Sequence, residues 1–193
     1  MTTKPDPVIN LPAGYAWLLD EGAPKMLVEM LKLYGVHEAA GGADNELILQ
    51  WAHELKLSAV YPHDAIAWCG LAMSVVAERA GKSLPKGLTW QSMLWADNWR
   101  KFGTPQPTGG AMLGDVLVFR WPAGDHHVTM YVGEDANRYH CLGGNQSDQV
   151  KFSLYEKQFC TGVNRAEFKI GQPENVRKVY LTPHGSVVPE STR

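Results

Sequence analysis

A change in hydrophobic pattern near Gly103 constrains the fold of this chain more than any other feature. Before it, apolar side chains recur at helical spacing, which predicts helices over residues 15–37, 44–56, 65–80 and 89–101. After it, short apolar runs between turn residues predict strands over residues 116–119, 128–132, 139–142, 149–152, 163–168 and 176–182. This order predicts an α+β domain with N-terminal helices packed on a small antiparallel sheet.

The length of 193 residues suits one domain, or one domain with a small helical extension. We expect an arm and helices over residues 1–56 as part of the same domain, a main domain over residues 57–182, and a flexible tail over residues 183–193. Asp44 or Asn45 is expected to cap the second helix, and Asp64 the third.

Charge and cysteine content exclude several functional classes. The net charge of −2 and the absence of Lys/Arg clusters along the sequence predict no nucleic-acid partner. No apolar run approaches the length of about 20 residues that spans a bilayer, so no stable membrane insertion is expected. Three widely spaced cysteines without a CxxC pair predict neither a disulfide framework nor a structural zinc site, and no cofactor is expected. A bridge between Cys141 and Cys160 stays open.

Cys69 is the first candidate for chemistry. It lies near the start of the helix predicted over residues 65–80. A helix N-terminus stabilises negative charge, and the thiolate is the reactive form of cysteine. Its small neighbours Ala67 and Gly70 leave room for a substrate backbone. A structural role is the alternative, because free cysteines are among the most buried residue types.

His127 is the candidate base for this thiol. It follows a turn and begins a predicted strand, and imidazole exchanges protons near neutral pH. His126 competes for the role, but strand alternation sends the two side chains to opposite faces, so only one can face Cys69. A surface His-His pair is the alternative. We expect no metal, since no further His, Cys, Asp or Glu lies at a recognisable ligand spacing.

The stretch Leu142-Gly143-Gly144-Asn145-Gln146 supplies the third candidate group. Two glycines allow close packing or unusual backbone angles. Asn145 or Gln146 could accept a hydrogen bond from the His127 ring and fix its tautomer, as the third member of a nucleophile–base arrangement does. An ordinary Gly-Gly-Asn turn is the alternative.

With these residues the sequence resembles the papain-like peptidoglycan hydrolases of the CHAP and NlpC/P60 type. The similarity is carried by residues 64–81, 114–119, 127–133 and 142–146, and it extends over roughly residues 15–168. The chain departs from that pattern in the doubled His126-His127, in Gly70 after the cysteine, and in Thr129 where Gly or Ala is expected.

The resemblance implies a Cys69 nucleophile, a His127 base and Asn145 behind the histidine, with Gln146 as the other possible third member. It implies hydrolysis of an amide in peptidoglycan, either N-acetylmuramoyl–L-alanine or a bond in the stem peptide or cross-bridge. We expect a substrate cleft lined by further residues in or next to these segments, namely Trp68, Asp64, His126 and Gly144.

The N-terminus has no apolar segment of the signal-peptide kind, so synthesis in the cytoplasm is expected, with action on the cell wall or periplasm. A phage endolysin released through a holin-type pore and an injected antibacterial effector with an immunity protein both fit, each as a monomer. Two rival functions remain. One is a papain-like toxin amidase or transferase acting on proteins, and the other is a non-catalytic cell-wall binding module.

Overall fold

The computed structural model describes residues 9–22 and 24–189. Its α-helices are α1 (Lys25–Leu31), α2 (Glu46–Glu54), α3 (Cys69–Arg79) and α4 (Trp90–Met93), and 3-10 helices cover Ala13–Asp20, Ala96–Lys101 and Lys157–Phe159. The strands are β1 (Thr104–Gln106), β2 (Val116–Arg120), β3 (His126–Glu134), β4 (Arg138–Gly143), β5 (Lys151–Glu156) and β6 (Cys160–Arg165). The α+β prediction is confirmed. None of the helices in the described residues is long and apolar enough to cross a membrane.

The six strands form one antiparallel sheet in the order β1-β6-β2-β3-β4-β5. Consecutive strands β2 to β5 are neighbours, as short turns between antiparallel strands allow. Phe119 pairs with His127 across β2 and β3, and Leu142 pairs with Met130 across β3 and β4. Beyond Gly143 strand β4 leaves the sheet, so β3 extends past it at the end that carries His127.

Side-chain alternation divides the core into two parts. On one face Val128, Met130 and Val132 of β3 pack against the helices. On the other face a second cluster contains Phe119, Tyr131, Tyr139 and Cys141 among its buried members. His127 has the alternation of Tyr131 and therefore faces the second cluster, while His126 faces the helical side.

The helix-cap prediction was right for α2 and wrong for α3. The Asn45 side chain caps α2 by accepting the N–H of Leu47. Asp64 does not cap α3, which begins only at Cys69 with Trp68 in the cap position. The buried Asp64 carboxylate instead accepts the N–H groups of Ala39 and Asn45, at 2.9 and 2.8 Å. Helix α3 therefore lacks the predicted cap and begins four residues later than the predicted start at residue 65.

Other elements also differ from their predicted extents. The helix predicted over residues 15–37 is interrupted by Gly22, whose φ of +62° is left-handed, and α1 begins after Pro24. Residues 176–182 contribute only isolated bridges at Tyr180 and Leu181. The predicted tail is partly structured, since residues 182–188 form a hydrogen-bonded turn that packs on Tyr15 and Trp17. Residues 1–8 of the arm and residues 190–193 of the tail lie outside the described residues.

Candidate active site

Cys69 is the first residue of α3 and lies at the end of the sheet where β4 departs. Two close backbone contacts hold the helix there. Gly70 packs on the carbonyl of Leu94, and Ala72 packs on Gly144 at the end of β4; a Cβ on Gly70 would lie 2.3 Å from the Leu94 oxygen. Gly70 thus serves helix packing rather than substrate access. The Cys69 side chain, 6% exposed, meets His127 at the start of β3.

The surroundings of Cys69 favour its thiolate. Burial raises the pKa of the thiol, but the hydrogen bond and charge of His127 lower it. The backbone N–H groups of Val128 and Gly70 lower it further, and the net pKa lies below the ordinary cysteine value. Lowered pKa values at a helix start beside a histidine are typical of reactive cysteines.

Gln146 supplies the hydrogen bond behind His127. Its Oε1 lies 3.1 Å from His127 Nε2 and also accepts the hydroxyl of Thr129 at 3.0 Å. Its Nε2 donates to the Lys151 carbonyl, so the amide oxygen must face the histidine. We therefore assign the ring proton of neutral His127 to Nε2, which leaves Nδ1 to exchange a proton with Cys69.

The structure does not bring Asn145 to His127. Asn145 has a φ of 55°, within a turn where Ser147 and Asp148 are also left-handed. This turn leaves Asn145 half-buried and sends Gln146 inward, where it is 2% exposed. The two residues could not be separated by sequence spacing because the turn geometry decides which side chain points into the molecule.

Three residues expected in the cleft are structural instead. Trp68 is fully buried, and its indole N–H donates to the Glu38 carboxylate at 2.6 Å. Asp64 is buried in the loop contacts described above. Gly144 packs on Trp68 and Ala72 so closely that a Cβ would come within 2.7 Å of both side chains.

His126 lies on the other face of β3 and does not face Cys69. It is exposed, and its Nδ1 lies 3.6 Å from an Asp97 carboxylate oxygen on the 3-10 helix Ala96–Lys101. Of the two neighbouring histidines, the structure therefore brings only His127 to the thiol.

Two side chains beside His127 were not predicted as site residues. Thr129 shares the face of His127 because it lies two residues further along β3, a spacing that is visible in the sequence. The ring of Tyr155 lies 5.4 Å from that of His127, and Trp121 lies 5.6 Å from Tyr155. Tyr155 was missed because the predicted strand ended at residue 152, whereas β5 extends to Glu156.

Away from Cys69, the described residues form a surface depression but no cluster of metal ligands. A surface depression of about 760 Å³ lies near the β3–β4 turn, but its charged side chains pair locally, with Arg138 at 2.8 Å from Asp135 and Lys157 at 3.0 Å from Glu134. Within residues 9–22 and 24–189, no group of three or more His, Cys, Asp or Glu side chains could hold a metal ion. The three cysteines are free.

Comparison with known proteins finds no family whose model matches the chain and no curated protein that is significantly similar to it. The resemblance to CHAP and NlpC/P60 enzymes therefore remains a prediction from the residues themselves.

Proposed function

We propose that this protein is a cysteine hydrolase that cuts amide bonds in peptidoglycan. The observation that carries the proposal is the contact of the Cys69 thiol with His127, whose far nitrogen is bonded to Gln146. A nucleophile, a base and a group that orients the base are the parts that acyl transfer requires. The papain-like fold and the choice of peptidoglycan follow the sequence resemblance.

In the proposed reaction, His127 Nδ1 takes the Cys69 proton and the thiolate attacks the amide carbonyl carbon. The Cys69 N–H, in the first turn of α3 where no intrahelical acceptor exists, is the candidate donor to the developing oxyanion. His127 then protonates the leaving amine, and a thioester remains on Sγ. Water, deprotonated by His127, cleaves the thioester to a carboxylic acid and restores the thiol.

Gln146 and Thr129 act through His127 in this scheme. The Gln146 oxygen stabilises the imidazolium through the Nε2 proton, and the Thr129 hydroxyl holds that oxygen in place. Thr129 is one of the positions at which the chain departs from the family pattern, and this scheme gives it a role.

Aromatic side chains near the site suit a glycopeptide substrate. Tyr155 is half-buried beside His127, and Trp121 is half-buried beside Tyr155. Trp95 is 75% exposed, one residue after the Leu94 carbonyl that packs on Gly70. Flat aromatic faces can pack against sugar rings or alanine methyl groups. These three residues replace Trp68 and Gly144 as the proposed cleft walls.

The test is digestion of purified peptidoglycan with mass spectrometry of the released fragments. We expect wild type to release fragments with new amine and carboxyl ends at one kind of amide bond. Cys69→Ser should release none. The product masses separate N-acetylmuramoyl–L-alanine cleavage from stem-peptide or cross-bridge cleavage. If Cys69 labels readily with a thiol probe but the peptidoglycan stays intact, peptidoglycan is not the substrate. That result would favour an amidase or transferase that acts on proteins. An unreactive thiol would favour a binding module.

The proposed setting follows from the substrate. We propose delivery to the wall or periplasm either as an endolysin or as an injected effector, the latter with an immunity protein that covers Cys69. The protein is proposed to act as a monomer.

A further inference from the structure

A groove of about 620 Å³ lies at the opposite end of α3 from Cys69. It is formed by residues 80–85 after α3, by residues 101–103, by residues 167–171 and by Lys25 of α1. Helix α3 has 11 residues, which corresponds to a length of about 16 Å, so the groove is separate from the candidate active site.

Four lysines from these four segments line the groove: Lys25, Lys82, Lys101 and Lys169. Only one carboxylate, that of Glu167, accompanies them. None of the four forms an ion pair among the described residues, whereas Lys32, Lys157 and Lys178 each have a carboxylate within 3.5 Å. The fold thus creates a cluster of positive charge that the linear sequence does not show.

Lys82 is half-buried, and its side chain folds onto residues 167–168. Its ammonium donates to the Glu167 carbonyl at 2.5 Å and lies 4.8 Å from the centre of the Phe168 ring. Burial lowers the pKa of Lys82, and the positive charges of Lys169 and Lys25 lower it further, against the opposing effect of Glu167. Lys82 is therefore repelled by Lys169 and Lys25, and a bound anion would relieve that repulsion.

The lining suits closely spaced phosphate groups. It contains four lysines and no arginine, so a bound anion would meet point charges rather than the planar fork that arginine offers to carboxylate and phosphate alike. A phosphate group carries more negative charge than a carboxylate, so linked phosphates match four cations better than a carboxylate ligand of the same size does. The volume lies in the range of small-molecule sites, and a flat bilayer would not reach the half-buried Lys82. We propose that this groove binds a soluble ligand that carries two or more phosphate groups.

Tripolyphosphate titrated into the full-length protein by calorimetry in metal-free buffer tests this proposal. We expect saturable one-to-one binding that weakens with added salt, and a loss of at least about tenfold in affinity for the double variant Lys82→Gln/Lys169→Gln. The charge-matched control Lys32→Gln/Lys56→Gln should bind like wild type. Lys82→Arg/Lys169→Arg, which keeps the charge, should retain most of the affinity and shows that a loss is not a folding defect.

Four results would overturn the proposal. They are no saturation at millimolar tripolyphosphate, equal binding by the Gln double variant and wild type, equal affinity for citrate, and tighter binding to duplex DNA or anionic vesicles than to tripolyphosphate. Because the measurement does not involve Cys69, its outcome is independent of the proposed hydrolase activity.

Discussion

The molecule contains two pairs of neighbouring cysteine and histidine residues, and the pKa values of the two thiols are shifted in opposite directions. Cys69 and His127 meet where α3 begins and β3 starts. Cys141 and His140 are adjacent residues in the middle of β4. The pKa of Cys69 lies below its ordinary value, whereas burial, with the negative charge of Cys160 as a smaller cause, raises that of Cys141 well above it.

The two histidines also differ in their partners. His127 has the Gln146 amide oxygen next to Nε2 and the Cys69 thiol as its second partner. His140 is fully buried, its Nδ1 lies 2.7 Å from the Tyr15 hydroxyl, and its Nε2 has no hydrogen-bond partner and lies 3.9 Å from Asp135. Burial lowers the pKa of His140 to about 4, despite the opposing charge of Asp135.

Burial alone does not separate the two pairs, because Cys69 and His127 are only 6% and 7% exposed. The two thiols differ in the groups that surround the sulfur atom, and these groups decide how well a thiolate is stabilised. Backbone N–H groups and an imidazole face the Cys69 sulfur, while Cys141 lies among apolar strand residues. The lowered pKa of Cys69 thus comes from its position at the start of α3 beside the start of β3.

Replacement of the two thiols should give the largest contrast. We expect Cys69→Ala to lower the hydrolysis rate by at least about 10⁴-fold, because the covalent step is lost. Cys141→Ala should leave the rate within about twofold and lower only stability, by about 1–2 kcal/mol for the lost buried atom. Fragment release from peptidoglycan measures the first effect and thermal unfolding the second. Equal activity of the two variants would remove the distinction between the thiols.

Replacement of the two histidines should give the second-largest contrast in hydrolysis rate. His127→Ala is expected to lower the rate by about 10³-fold, the typical contribution of a positioned acid–base group. His140→Gln should retain activity, because His140 contacts Tyr15 rather than the thiol. The same kinetic assay applies, with circular dichroism to show that both variants fold. An active His127→Ala variant would contradict the assigned base.

His140 should also make stability depend on pH. Its folded pKa of about 4 lies below the unfolded value, so between these two values the unfolded chain holds a proton that the folded chain does not. The stabilisation is complete above about pH 6.5 and decreases as pH falls towards 4, by about 3 kcal/mol in total. Denaturant unfolding from pH 7 to 4 should show a shallower decline for His140→Gln. Parallel curves for the two proteins would contradict this.

Gln146 and Asn145 offer a finer contrast within one turn. Gln146→Ala should lower the rate by about 10- to 100-fold, because His127 loses the acceptor that orients it. Asn145→Gly keeps the left-handed backbone and should change the rate by less than about twofold. Thr129→Val should lower the rate less than Gln146→Ala, and Thr129→Ser should restore it. Greater damage from Asn145→Gly than from Gln146→Ala would reverse the assignment.

Local patterns predicted the parts of the site that depend on short-range structure. Cys69 near a helix start and His127 at a strand start followed from turn residues and hydrophobic periodicity. The choice between Asn145 and Gln146 depends on a left-handed turn and on the Thr129 hydroxyl across the sheet, which spacing does not specify. Trp68 was expected in the cleft because it precedes Cys69, but its indole is buried and bonds to Glu38, 30 residues earlier in the sequence, a contact that local patterns do not specify.

The groove lined by Lys25, Lys82, Lys101 and Lys169 could not be predicted from local patterns either. Its four lysines are spread from residue 25 to residue 169, so no window of the sequence contains the cluster. Only the packing of α1 and residues 167–171 around the end of α3 brings them together.

The most direct test of the Cys69–His127 contact is the pH dependence of iodoacetamide alkylation, with each thiol followed by mass spectrometry. We predict that Cys69 reacts first, with an apparent pKa below that of a free cysteine, and that His127→Ala raises this pKa and slows labelling at neutral pH. Labelling of Cys160 before Cys69, or an unchanged Cys69 profile in the His127→Ala variant, would contradict the account.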